Sequence, residues 1–294
     1  MKASRRQALQ GYLFISPWLI GFLVFTLGPL LYSLYVSFSE YSLFGSPYWT
    51  GLDNYQRALF EEPLFWKSLK NTLYFVALNV PLSIIGSLLL AMLLNQNIRG
   101  KTVYRTMFYI PSITPVVATT LIWVWILRSD FGLLNMMLEK IGLPAVPWLS
   151  STRWAIPSLV LISLWEIGGQ RMLIFLAGLQ GINQELYEAA DIDGGSVLQK
   201  FFHITLPMLS PTLLFNLIMS IISSFNVFTT AFIATKGGPA NATLFYVLYL
   251  FKNAFEWFQM GYASALAWLL FIVVFAVTVL QFVLSKRWVY YESE

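Results

Sequence analysis

Six runs of roughly twenty or more mostly apolar residues divide this chain, at about 11–38, 71–94, 106–127, 155–179, 208–235 and 261–284. About 20 such residues are what a helix needs to cross the hydrocarbon of a bilayer. Lipid offers the backbone no hydrogen-bond partner, so each run must satisfy its own peptide groups as a helix. The runs are too continuous for the in–out alternation of a membrane barrel. Composition agrees, with 57% hydrophobic residues and 11% charged, where a soluble domain carries about a quarter. So few charges could not cover the surface of a soluble protein of this length. The expected fold class is all-α, a polytopic membrane protein with six transmembrane helices.

Several kinds of chemistry are excluded. There is no cysteine, which removes disulfides, thiolate metal sites and cysteine nucleophiles. His203 is the only histidine, so no multi-histidine metal site can form, and a Ser-His relay would have to use that residue. The formal charge of +4 does not point to nucleic acid, because the basic residues are scattered among loops without a basic face. No metal site and no nucleic-acid partner are expected.

Orientation follows from lysine and arginine near the ends of the runs. Lys2, Arg5 and Arg6 precede the first run, Arg99, Lys101 and Arg105 crowd the loop between the second and third, and Lys286 and Arg287 follow the sixth. These places share one side of a six-span topology, which is read as cytoplasmic, with both termini there. The opposite side also carries basic residues, but in longer loops interspersed with acids, where the bias counts for less. Ser4-Arg5-Arg6 resembles the start of a twin-arginine export signal. The run behind it is far longer than a signal core, contains Pro17 and Pro29 and lacks a small-residue cleavage site, so it reads as an uncleaved anchor. Gly100-Lys101-Thr102 lacks the glycine that a phosphate-binding loop needs five residues earlier, where Asn95 stands.

The most informative segment is 180–211, QGINQELYEAADIDGGSVLQKFFHITLPMLSP, between the fourth and fifth runs. Asn183 is placed to cap a short helix whose first turns carry Glu185 and Glu188, suiting the positive helix N-terminus. Asp193-Gly194-Gly195 ends it, glycine supplying the left-handed residue of a C-terminal cap. Ser196 with Gln199 has the form of a capping box for a second helix, striped by Val197, Leu198, Phe201 and Phe202. Two short helices at a sharp turn make a rigid knob. An amphipathic stripe suits either a docking element or a helix pair lying on the headgroups, and the physics leaves both open.

Glu188-Ala189-Ala190, Gly194 four residues beyond Ala190, then Ile204 and Leu206-Pro207 resemble the signature loop of permease subunits in binding-protein-dependent ABC importers. The longer string EAA-x-x-DGG…F-x-x-I-T-L-P is similar to the sugar-permease branch, and the likeness extends along the chain. Gly51-Leu52-Asp53-Asn54-Tyr55, Phe65-Trp66 with Asn71-Thr72, Gly132-Leu133-Leu134-Asn135, Gly237-Gly238-Pro239 and Gly261-Tyr262-Ala263-Ser264-Ala265 sit where such permeases carry similar strings. The resemblance is to the first permease of maltose, glycerol-3-phosphate and multiple-sugar importers. Gly195, where the family usually has alanine, and Asn183, where many members have proline, depart from it.

That resemblance implies a type I ABC importer transmembrane fold in a bacterial or archaeal cell membrane. Residues 1–69 would be a cytoplasmic tail, the first helix and the first extracytoplasmic loop. Residues 70–284 would be a five-helix core with a cytoplasmic coupling loop at 180–207, and 285–294 a cytoplasmic tail. Its implied partners are a second homologous permease, two ABC ATPase subunits, an extracytoplasmic solute-binding protein, a sugar and the bilayer. The chain would not itself be an enzyme and would hold no cofactor, since ATP and Mg belong to the ATPase. ATPase coupling falls to Glu188, Ala189, Ala190, Asp193, Gly194, Ile204, Leu206 and Pro207, with Glu188 pairing a basic residue of the motor.

Substrate contacts are expected near mid-membrane, where polar residues are costly. Glu166 and Gln170 lie four apart on one helix face of the fourth run, whereas Arg171 is turned well away from Glu166. The fifth run offers Ser220, Ser223, Ser224, Asn226, Thr229 and Thr230. By the resemblance, Gln170, Ser220 and Ser224 fall at sugar contacts of a maltose-type permease, while Val227 departs from the next one. The substrate-binding set is therefore Glu166, Gln170, Ser220, Ser224 and Asn226. Serine and threonine in such helices also bond back to a carbonyl one turn earlier, a structural use of the same residues. Other readings stand beside this one. The same machine could carry a polyol or glycerol phosphate, for which Arg171 is the only arginine inside a run. An ion-coupled carrier would show an internal repeat and a relay of membrane carboxylates, and only Glu166 is available.

Overall fold

The computed structural model describes residues 5–42 and 44–290. Lys2 and Ser4 of the N-terminal basic segment, and residues 291–294 of the expected C-terminal tail, lie outside the described residues. Four helices are long and apolar enough to cross a membrane: Leu9–Ser37, Pro63–Asn95, Ser210–Ala234 and Met260–Ser285, with mean hydropathy between 1.8 and 2.6. The shortest, of 25 residues, is briefly interrupted at 226–228 between helix Ser210–Phe225 and helix Thr229–Ala234, and the other three, of 26 residues or more, each rise more than the roughly 30 Å of hydrocarbon.

The third and fourth of the six expected runs are not among these four. The third is a pair, Lys101–Ile113 and Val116–Ile126, bent by 93°. Pro115 lacks an amide hydrogen and forces its predecessor out of the helical region, and Thr114 is accordingly extended at φ −75°, ψ 135°. The fourth is interrupted. Helix Ala155–Leu164 and helix Gln170–Gln180 are separated by a turn at 165–169 containing Gly168 and Gly169. Ten residues rise only about 15 Å, so neither piece spans alone.

The chain forms two compact units. The first comprises 1–62 and 250–272. Here the all-α expectation meets a small exception, an antiparallel ribbon pairing Ser39 with Trp49 and Glu40 with Tyr48. Asn54 Nδ2 holds its start, donating to the carbonyls of Ser37 (3.0 Å) and Ser39 (2.9 Å). Gly261 donates its amide to the Tyr41 carbonyl (3.0 Å), and a Cβ there would lie 2.1 Å from the Ser39 carbonyl oxygen. Only glycine permits that approach. The Arg57 guanidinium lies over the ring of Tyr262 at 4.3 Å.

The second unit comprises 63–249 and 273–294. Its core joins helix Pro63–Asn95 (through Val80, Ile84, Leu90, Ala91 and Leu94) to Met172, Phe175, Leu176 and Leu179 of helix Gln170–Gln180, and to Leu209. Small and polar groups stitch these helices where lipid gives no hydrophobic drive. Asn79 Nδ2 donates to Ser224 Oγ (3.0 Å), and Ser87 Oγ to the Ile167 carbonyl (2.8 Å) in the interrupted turn. At one end of the unit, Lys67 Nζ donates to the Ala240 carbonyl (2.6 Å) and Asn71 Nδ2 to that of Asn241 (2.9 Å). The Tyr246 amide donates to Thr72 Oγ1 (2.9 Å).

Asn135, 3% exposed, organises the loop after the bent pair. Its Oδ1 accepts from the Val146 amide (3.0 Å) and the Trp148 indole (2.9 Å), and its Nδ2 donates to the Val146 carbonyl (3.0 Å). An Asn135→Ala substitution removes these three bonds at once, together with the one from Nδ2 to the Ser129 carbonyl (3.3 Å). It should lower stability by about 2–3 kcal/mol, read as a fall in melting temperature of the purified protein. An unchanged melting temperature would mean that water replaces the amide.

Candidate functional site

Two places carry chemistry, a knob and a cavity, and the same helices build both. The knob begins where Asn183 caps helix Gln184–Ile192, its side chain accepting the Glu185 amide at 3.1 Å. The helix stops in a full glycine cap. Gly194 has φ +75°, its amide donates to the Asp191 carbonyl (3.1 Å), and the Gly195 amide reaches back to the Ala190 carbonyl (2.7 Å). These are the two bonds of a Schellman motif. Helix Val197–Lys200 follows, with both halves of the Ser196–Gln199 capping box formed. Lys200 Nζ pairs with Asp191 Oδ1 across the turn (2.6 Å), and Tyr187 Oη bonds Thr205 Oγ1 (2.8 Å).

The knob presents an apolar tip: Ile192 is 87% exposed, Val197 79%, Leu198 70% and Phe202 57%. Glu188, Ala189, Asp193 and Gly194 are exposed beside it, whereas Ala190, Ile204, Leu206 and Pro207 are half-buried. A groove of about 320 Å³ between the two short helices is walled by Ala190, Asp193, Gln199, His203 and Ile204, among others. Leu206 and Pro207 belong to the turn that leads into helix Ser210–Phe225.

The cavity lies at the two helix breaks. Its larger lobe, about 300 Å³, is lined by Tyr109 and Ser112 from the bent pair, Glu166, Gln170 and Arg171 from the interrupted run, and Asn216, Met219 and Ser223 from helix Ser210–Phe225. A smaller lobe of about 140 Å³ adds Asn79, Thr119, Thr120 and Ser224. Glu166, Arg171 and Ser223 line both lobes. The break is sealed by close packing, since a Cβ on Gly168 would lie 2.2 Å from the Phe108 carbonyl oxygen and one on Gly169 2.8 Å from Ser112 Cβ.

Of the five expected substrate contacts, the structure gathers Glu166, Gln170 and Ser224 around this space. Ser220 is 1% exposed and lies outside both linings. Asn226 bonds back to the Ile222 carbonyl (2.8 Å) at the helix C-terminus and is also outside them. The cavity face of that helix is Asn216, Met219 and Ser223, at the three-and-four spacing of one stripe. Arg171 is not turned away from Glu166. Interrupting the helix between them cancels the angle that a continuous helix would impose, and both reach the same lobes. Residues that the sequence reading missed are Tyr109, Ser112, Thr119 and Asn216. Pro115 and Gly168-Gly169 were the available signs that two apolar runs would break and open a space.

The helices flanking the knob, Gln170–Gln180 before it and Ser210–Phe225 after it, also wall the cavity. The knob is therefore joined by the continuous chain to two walls of the cavity.

A family model described as "Binding-protein-dependent transport system inner membrane component" matches residues 72–290. A Bacillus subtilis protein described as the probable ABC transporter permease protein YesP is 44% identical over 297 residues, covering 100% of this chain and 96% of the relative. The arabinooligosaccharides transport system permease protein AraP of Halalkalibacterium halodurans is 33% identical over 282 residues, covering 95% and 88%. Among solved structures, a bacterial ABC transporter involved in the import of the acidic polysaccharide alginate contains a chain of the same fold. It matches with a TM-score of 0.84 and 24% identity over 96% of both chains.

Proposed function

The chain belongs to the family of inner membrane components of binding-protein-dependent transport systems and has the type I fold of ABC importer permeases, and from that membership we propose that it is the solute-conducting permease of an ATP-driven saccharide importer. Six membrane crossings with both termini cytoplasmic, a second permease, two ATPase subunits and an extracytoplasmic binding protein complete the machine. The sugar assignment is supported by relatives named for arabinooligosaccharide and trehalose/maltose transport. One observation carries the coupling role: the doubly capped knob with its exposed apolar tip, joined directly to both helices that wall the cavity.

In this reading the knob enters a cleft of the ATPase, with Ile192, Val197 and Leu198 as apolar anchors and Glu188 at their edge meeting a basic residue. ATP binds one arrangement of the motor more tightly than the other, since equal affinity would shift nothing. Closure of the motor then moves the knob, and the two attached helices carry that motion to Gln170 and Asn216. Glu166, Gln170 and Ser224 offer carboxylate, amide and hydroxyl partners to sugar hydroxyls.

Reversing the charge of Glu188 is the direct test of the docking. Breaking one side of a buried charge pair costs about 2–5 kcal/mol, so Glu188→Lys should weaken association with the ATPase at least about thirtyfold. Affinity purification of the tagged chain should then lose the ATPase while the variant remains in the membrane fraction. Recovery of the ATPase at the wild-type ratio would refute the assigned contact.

A further inference from the structure

We propose that the cavity at the interrupted run is an anion-recognition site, and that the saccharide it passes bears a carboxylate, as in a uronate. The inference rests on the permease reading above and names the substrate class of that site.

Three features of one wall lead there. Helix Gln170–Gln180 starts in that wall at Gly169, and no side chain caps it. Gly169 at its N-cap has no side chain to bond the first-turn amides, and the helix dipole presents positive charge to the cavity. Arg171, in that same turn, lines both lobes, and no ion pair within 4.0 Å joins it to Glu166 or to any other carboxylate among the described residues. Asn216, 1% exposed, lines the larger lobe, and its Oδ1 has no hydrogen-bond partner, while its Nδ2 is held by the Thr212 carbonyl at 3.2 Å. That oxygen requires a donor.

The requirements differ around the cavity. Glu166 asks for hydroxyl donors, which any sugar has. Glu166 also lines both lobes with Arg171 but forms no ion pair with it, so the guanidinium donors and the helix end still favour a negatively charged partner, which a neutral sugar lacks. A carboxylate satisfies the guanidinium through two parallel N–H···O bonds, a geometry that a hydroxyl cannot match. A sugar phosphate would also be anionic. With Glu166 on the same wall the local formal charge is zero before binding, however, so a monoanion is accommodated at less repulsion than a phosphate approaching two negative charges.

The test uses the complete importer with its second permease, ATPases and binding protein in proteoliposomes. The three radiolabelled probes are cellobiouronate, a disaccharide with one carboxylate, its carboxyl-reduced neutral counterpart cellobiose, and glycerol 3-phosphate. ATP-dependent uptake of cellobiouronate above the other two is expected. Arg171→Gln should lower it roughly 10- to 100-fold, the value of a hydrogen-bonded contact to a charged group, and Arg171→Lys should restore part of it. That rescue separates recognition of charge from a folding defect. Equal uptake of the neutral counterpart, unaffected by Arg171→Gln, overturns the anion site and leaves the saccharide permease standing. Uptake of glycerol 3-phosphate alone overturns the carboxylate and the saccharide together. If none of the three enters, the carboxylate site falls, and ATP-dependent uptake of maltose or an arabinooligosaccharide by the same proteoliposomes decides whether the saccharide permease stands.

Discussion

Replacing Gly194 by aspartate should reduce ATP-coupled uptake roughly thirtyfold while leaving the protein inserted in the membrane at its normal level. Gly194 sits at φ +75°, where a side chain costs about 1–2 kcal/mol. The new carboxylate would also stand at the C-terminus of helix Gln184–Ile192, beside Asp191 and Asp193. The helix dipole already places negative charge there, adding about 0.3–1 kcal/mol. Together these come to about 2 kcal/mol against the turn that orients the knob. A Cβ at this position meets nothing within 4 Å, so the loss cannot come from a clash inside the chain. Gly194→Asn separates the causes. Asparagine visits the left-handed region as readily as aspartate does and adds no charge, so it isolates the charge and should keep more of the uptake than aspartate. Wild-type transport by the aspartate variant would remove the turn from the coupling mechanism.

The second large effect lies at the interrupted run. Gly168→Val should abolish accumulation of the folded protein, because even its Cβ would lie 2.2 Å from the Phe108 carbonyl oxygen and 2.9 Å from the Phe108 carbonyl carbon. Both are main-chain atoms within helix Lys101–Ile113 and cannot rotate away as a flexible side chain would. Overpacking typically costs 1–3 kcal/mol where side chains can yield. Against a rigid backbone the expected cost is above about 3 kcal/mol. Gly21→Ala is the matched control, since a Cβ there meets nothing within 4 Å, and it should leave the melting temperature unchanged. Fluorescence-detected size exclusion of both variants in detergent reads the difference. A monodisperse Gly168→Val protein at wild-type yield would mean that the two broken runs do not pack as described.

What was legible in the residues alone has a common physical character: it is local. The lengths of the apolar runs, the Asn183 cap, the glycine stop at Gly194 and the Ser196–Gln199 box depend on contacts within four or five residues, and the structure forms each cap as its sequence implies. Pro115 bends the third run for an equally local reason, the lost amide and the extended residue before it. The likeness around Glu188-Ala189-Ala190 placed the chain in its family from the same short segment.

The cavity was decided only by tertiary packing. In water, the apolar stripe of a helix tells which face is buried, but a helix in lipid is apolar all round and its period says little about facing. Hence the reading that placed Ser220 and Ser224 together missed that Asn216, Met219 and Ser223 form the cavity stripe. A continuous fourth helix would have kept Glu166 and Arg171 apart. Gly168 and Gly169 instead press against Phe108 and Ser112, the helix opens, and the carboxylate and the guanidinium come to line one space. That outcome depends on a neighbour nearly sixty residues away in sequence, which no local pattern encodes.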